Sequence, residues 1–170
     1  IKAMVYGNLK IMFPMISCLE ELLEAKKILE EVKADLSAEG IEYAQKIEVG
    51  MMIEVPSAAI ISDLLAKHVD FFSIGTNDLI QYTVAVDRMN QSIANLYTPY
   101  HPAVLRMIRM IIRNGHNAGI WVGMCGSVAG DLNLMPILLA MGLDEFSMSP
   151  GTILKARKRA ATIDSKVLYN

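Results

Sequence analysis

The sequence predicts an α/β fold made of about the last five βα units of a (β/α)8 TIM barrel, and three observations carry the prediction. Strand-like apolar runs alternate with helix-like segments about five times, with short connections and no linker. Such alternation implies parallel strands joined by right-handed helical crossovers. Three of those runs end on a reactive side chain: Val49 to Ile53 delivers Glu54, Phe71 to Ile74 leads through Gly75, Thr76 and Asn77 to Asp78, and Ile120 to Met124 delivers Cys125. Reactive groups spread over successive strand ends favour a barrel over an open doubly wound sheet. Finally, the chain begins with Ile1 and reaches its first strand almost at once, so the expectation is a segment of a longer chain whose earlier barrel strands precede it.

The elements follow in order. Leu9 to Met15 reads as the opening strand. Leu19 to Gly40, rich in Glu, Lys, Leu and Ala, reads as a helix with Ser17 as N-cap, Glu20 as its capping-box partner and Gly40 as its stop. Ile47 to Glu54 is a strand leading to a helix over about Ser57 to Lys67, and Asp70 to Ile74 a strand leading to a helix over about Asp78 to Val86. His101 and Pro102 open a helix to about Asn117, with proline suited to the first turn. Ile120 to Cys125 is the fourth strand, Gly130 to Met141 a helix, Glu145 to Met148 the fifth strand, and Gly151 onward a helix with a basic, solvated face.

Composition excludes several classes. The chain has 170 residues, 53% hydrophobic and 20% charged, which supports one domain with a real core. Sixteen basic against eighteen acidic residues leave a net charge of −2, with no electrostatic footprint for nucleic acid or an anionic membrane. No apolar run approaches the roughly 20 residues of a membrane span, and no signal peptide is evident; a cytoplasmic location is expected. Two cysteines far apart indicate neither a disulfide framework nor a CxxC metal site.

Each candidate residue has a functional and a structural reading. Glu54 and Asp78 are hard oxygen donors of the type that holds Mg²⁺ while water and substrate phosphate complete the octahedron; either carboxylate can equally be a helix cap or a solvated charge. Arg88 offers a planar guanidinium for a phosphate, or a salt bridge to Asp87 or another surface acid. Asn77 and the amides of its loop suit an anion at a helix start, or a plain N-cap. Cys125, between Gly123 and Gly126, is either an inert buried thiol or a proton donor at carbon. His68, His101 and His116 lack ligand spacing and read as structural or exposed, and the twelve methionines as core or interface filling.

Glu54-Val55-Pro56-Ser57-Ala58, the run Phe71 to Arg88, Gly123-Met124-Cys125-Gly126 and Gly142 to Ser149 together resemble the phosphoenolpyruvate-protein phosphotransferases, enzyme I of the bacterial sugar phosphotransferase system. The likeness covers essentially the whole chain. It implies that residues 1–170 are the C-terminal part of a phosphoenolpyruvate-binding barrel domain, with the N-terminal phosphohistidine domain and first barrel strands absent. It implies Glu54 and Asp78 as Mg²⁺ ligands, Asn77 and Asp78 positioning phosphoenolpyruvate, Arg88 holding its phosphate, and Cys125 as the acid that protonates the methylene carbon to give pyruvate. The phosphoryl group would pass to a histidine of the N-terminal domain and then to the carrier protein HPr. Homodimers are implied as well, and an isolated segment is expected to be inactive. Two positions depart from the family pattern: Ser127 stands where glutamate is common, and Ser57 where alanine is common. The alternatives are a barrel fragment of pyruvate phosphate dikinase or phosphoenolpyruvate synthase, which the run Tyr82 to Arg88 fits less well, and a non-catalytic dimerisation module.

Overall fold

A computed structural model describes residues 7–164. Five strands, β1 (Ile11–Phe13), β2 (Val49–Ile53), β3 (Phe71–Gly75), β4 (Trp121–Cys125) and β5 (Glu145–Phe146), form one sheet in which spatial order equals chain order and every pairing is parallel. A doubly wound sheet would reverse its order partway. Strictly sequential right-handed crossovers instead put the helices on one face and curl the sheet into a barrel arc, as expected.

The alternation of side chains sorts the two faces. Met51, Ile53, Phe72, Ile74, Val122 and Met124 are fully buried in one core cluster with Leu22, Ile108, Ile111, Ile112 and Leu138 from the helices. The intervening residues, Met52 on β2, Phe71 and Ser73 on β3, Trp121, Gly123 and Cys125 on β4 and Glu145 on β5, occupy the opposite, concave face. The Phe71 and Trp121 rings stack there at 4.5 Å between centroids and 5° between planes. Lys10 lies 4.8 Å from the Trp121 centroid and pairs with Glu48, so the N-terminal end of this face is closed by an aromatic and ionic plug.

The helices are α1 (Leu19–Ala38), α2 (Pro56–Ile60), α3 (Ser62–Leu65), α4 (Thr76–Val84), α5 (Pro102–Asn117), α6 (Met135–Ala140) and α7 (Pro150–Ala161). Several boundaries differ from expectation for identifiable reasons. Cys18 rather than Ser17 is the N-cap of α1, and Glu21 rather than Glu20 reaches back, accepting from the Ser17 amide at 2.7 Å and its hydroxyl at 2.9 Å. Gly40 ends α1 as expected, with the Ile41 amide donating to Leu36 O at 2.9 Å. The helix expected over 57–67 is broken at Ile61 (φ −99°, ψ 19°). There the Ser62 hydroxyl bonds Ala59 O (2.8 Å) and accepts from Asn114 of α5 (2.9 Å), a tertiary tie that competes with the helical ladder. The helix expected from Gly130 starts only at Met135, because Asp131 turns the chain and accepts from the Asn133 amide at 2.8 Å. The last helix is basic and solvated as read, with only Ala156 buried.

Candidate active site

Glu54 directly follows β2, and its side chain leans across the concave face. The residue is 4% exposed, and its Oε1 accepts a hydrogen bond from the Met15 amide at 2.8 Å. Met15 adopts a left-handed φ of 56°, uncommon for a residue with a side chain, which turns the loop after β1 so that its N–H meets the carboxylate. The Ser57 hydroxyl donates to Ser17 O at 2.8 Å and ties that loop to the first turn of α2, a role for the serine that stands where alanine is common. Gly75 makes the approach possible: a Cβ there would lie 2.6 Å from Glu54 Oε2. Burial raises the Glu54 carboxyl above the ordinary range, the Met15 amide opposes this, and the neighbouring Asp78 charge adds to it.

The helix expected from Asp78 begins two residues earlier, at Thr76, so Asn77 and Asp78 stand inside its first turn, where the helix dipole favours an anion. Thr76, fully buried, donates to Cys125 O at 2.9 Å and locks the end of β3 to the end of β4. Asn77 Oδ1 accepts from the hydroxyl (2.9 Å) and amide (3.3 Å) of Ser127. With the oxygen so engaged, the amide NH₂ of Asn77 is the end left to donate.

Ala85 ends α4 in the left-handed conformation (φ 54°, ψ 42°), and the Arg88 amide donates to Gln81 Oε1 at 3.1 Å, so the chain doubles back. Arg88 Nη1 comes 3.9 Å from Asp78 Oδ1. The bland partner, Asp87, instead caps the Met89 amide at 2.9 Å. Tyr97, for which the sequence carried no signal, donates its hydroxyl to Asn77 O at 2.9 Å. Burial raises its phenol, the adjacent Arg88 lowers it and Asp78 raises it, so the three residues form one cluster.

Cys125 closes β4 in register with Gly75, facing Glu54 across that glycine. Burial pushes its thiol above the ordinary thiol range; a hydrogen bond with Ser73 opposes this, and the charges of Glu54 and Glu145 add to it. The thiol is therefore kept in its protonated form at neutral pH, fit to give a proton and unfit as a nucleophile.

Glu54, Gly75, Asn77, Asp78 and Cys125 line one cavity of about 90 Å³. A second opening of about 470 Å³, lined by Ser127, Ser147, Ser149 and Thr152 among others, meets the first at Cys125. Four of the five residues the sequence singled out, Glu54, Asn77, Asp78 and Cys125, thus share one cavity, and the fifth, Arg88, joins them only through its 3.9 Å approach to Asp78. His101 caps α5 and His116 pairs with Asp144, which leaves both outside the site, as read. Among the described residues no cluster of three or more His, Cys, Asp and Glu forms a metal cage. Glu54 and Asp78 are the adjacent pair able to share a hard cation.

Residues 1–165 match a model of the phosphoenolpyruvate-utilising enzymes, phosphoenolpyruvate-binding domain. A phosphoenolpyruvate-protein phosphotransferase of Priestia megaterium is 61% identical over 94% of this chain and 28% of its own length. Relatives with the same description from Listeria monocytogenes and Lactococcus lactis subsp. lactis are 55% and 54% identical, over 96% and 98% of this chain and 29% of theirs. The chain thus spans less than a third of the length of the curated relatives it matches. A citrate lyase from Burkholderia xenovorans LB400 superposes with a TM-score of 0.66 at 20% identity, over 98% of this chain and 55% of that one, a likeness of fold alone. With the match running nearly end to end, the chain belongs to the phosphoenolpyruvate-utilising enzyme family, to its phosphoenolpyruvate-binding domain.

Proposed function

We propose that this chain is the C-terminal part of an enzyme I, a phosphoenolpyruvate-protein phosphotransferase, and contributes half of its phosphoenolpyruvate site. The observation that carries the reading is the convergence of two adjoining carboxylates and a protonated thiol on one small cavity at the strand ends.

A divalent cation such as Mg²⁺ fits this donor set. Glu54 is buried, its Oε1 accepts from the Met15 amide, and its carboxyl adjoins that of Asp78, so two acids are crowded together where a cation between them would relieve the repulsion of their charged forms. Glu54 and Asp78 would hold the ion, which supplies charge neutralisation at the phosphate. Arg88 would grip the phosphoryl oxygens, exchanging its long contact with Asp78 for a bidentate one. Asn77 donates its NH₂ to the substrate, and the first-turn amides of α4 add to the positive potential. Once the phosphoryl group has left, Cys125 gives its S–H proton to the methylene carbon; a C–H bond forms, pyruvate results and the thiolate keeps the electron pair.

In the full-length protein the phosphoryl group would go to a histidine of the N-terminal domain and on to HPr, in the cytoplasm, in a homodimer serving sugar transport. The test is phosphorylation of the full-length protein by phosphoenolpyruvate. Phosphoprotein and pyruvate should appear with Mg²⁺ and without nucleotide, and HPr should drain the label. A strict need for ATP or AMP would replace this reading with the dikinase or synthase one.

A further inference from the structure

The concave face carries a second carboxylate that the mechanism above does not use. Ser73, Gly123 and Glu145 are register partners on β3, β4 and β5, so they form one row across the sheet. Gly123 has no side chain, and Glu145 fills the vacancy: a Cβ on Gly123 would collide with Glu145 Oε2. Cys125 is the next residue on the same face of β4, directly above this gap. Its thiol is hydrogen-bonded to Ser73 from one side and feels the Glu145 charge from the other.

We propose that Glu145 acts through Cys125, returning across the gap over Gly123 the proton that the thiol gives to the enolate, while the Ser73 hydroxyl holds the sulfur in place. This rests on the reading of Cys125 as the acid. When the Cys125 S–H bond breaks, its proton forms the third methyl C–H of pyruvate and a thiolate remains. The Glu145 O–H bond then breaks, its proton forms a new S–H bond, and the carboxylate left behind takes a proton from water. No oxidant or further reactant enters.

The surroundings suit such a donor. Beneath the Glu145 carboxyl lies the edge of Trp121, a ring carbon of which is 3.2 Å from the Gly123 Cβ position, and beyond it the Phe71 stack. Glu145 is exposed as a residue at the edge of the sheet, but one side of its carboxyl rests on that apolar floor, and this partial burial raises its proton affinity. Lys10 is engaged by Glu48 below the aromatic plug, and Glu54 and Asp78 stand at the other side of the cavity. Glu54 follows β2, three strands from β5, about 14 Å along the sheet, so the Glu145 carboxyl is separate from the proposed cation pair.

The experiment uses the full-length protein and two rates: single-turnover phosphorylation by phosphoenolpyruvate, and exchange of the methyl protons of pyruvate into D₂O with Mg²⁺, followed by proton NMR. In Glu145→Gln the ratio of exchange to phosphorylation should fall at least tenfold. The decline of exchange with rising pH, which reports loss of the Glu145 proton, should vanish, and Glu145→Asp should restore both in large part. Wild-type exchange with an unchanged pH profile in Glu145→Gln, alongside abolished exchange in Cys125→Ser, would overturn the relay and leave the acid in place. Persisting exchange in Cys125→Ser would overturn the acid itself and the relay with it. If Glu145→Gln lowers both rates together, Glu145→Asp decides: slowed exchange at retained phosphorylation supports the relay, and equal loss of both overturns it.

Discussion

Replacing Gly75 with alanine tests whether the strand-end geometry positions Glu54. The added Cβ would lie 2.6 Å from Glu54 Oε2, 2.8 Å from Glu54 Cβ and 2.8 Å from Met52 Sδ, whereas ordinary contact begins near 3.4 Å. The Met52 sulfur, at the end of a flexible side chain, can swing away. The Glu54 Cβ sits one bond from the main chain and moves only if β2 shifts against β3, by about 0.6 Å to relieve the clash, with about 0.8 Å needed at the carboxylate oxygen. Overpacking of this kind costs about 1–3 kcal/mol. A misplacement approaching 1 Å at a reacting centre costs about 10–100-fold in turnover. Gly151→Ala on α7, where a Cβ meets nothing within 4 Å, is the control and should be neutral or slightly stabilising. The assay is Mg²⁺-dependent pyruvate release by the full-length protein, with thermal melts of the same variants. A folded Gly75→Ala with activity within twofold of wild type would refute the claim that the glycine makes room for a functional Glu54.

Three further outcomes follow from the same geometry. Glu54→Gln should abolish the response to Mg²⁺ yet raise the melting temperature of the metal-free protein by about 2–4 °C, the shift that about 1 kcal/mol produces in a domain of this size. It does so because it removes a buried charge beside Asp78 and keeps an acceptor for Met15. The folded-state affinity of Glu54 for a proton exceeds that of the unfolded chain, so its contribution to stability is present at low pH and is lost as pH rises past the ordinary carboxylate range. Glu54→Gln should lack that slope in melts across pH. Alkylation of Cys125 by iodoacetamide in a Cys18→Ser background should stay slow at pH 7 and accelerate only above the usual thiol range, because its thiol is raised; fast reaction at pH 7 would mark a thiolate and contradict the acid role. Tyr97→Phe, by removing the hydroxyl bonded to Asn77 O, should cost about 0.5–1.5 kcal/mol in chemical denaturation and weaken phosphoenolpyruvate binding, whereas Tyr82→Phe, on an exposed ring, should change neither.

The alternation of apolar runs and helix-like segments made the sheet legible, because each parallel strand announces itself as an apolar run ending at a polar residue, and Glu54, Asp78 and Cys125 are three such ends. What the sequence concealed depends on groups that meet only in space. The break at Ile61 comes from a bond between Ser62 and Asn114, 52 residues apart. Met15 serves Glu54 through a backbone amide, which no residue identity signals. Tyr97 arrives from a loop 20 residues beyond Asn77. Glu145 read only as a strand residue until the register set it opposite Gly123 and beside Cys125. The capping partner of α1 was misread by one position, an error as small as the uncertainty of any helix start.

The most direct test of the account is calorimetric titration of phosphoenolpyruvate into the full-length protein, with and without Mg²⁺, for the wild type, Glu54→Gln and Asp78→Asn. The account predicts that binding depends on the ion in the wild type and that either substitution abolishes this dependence. Wild-type affinity that is the same with and without Mg²⁺, or a Glu54→Gln variant that retains the full response to the ion, would contradict it.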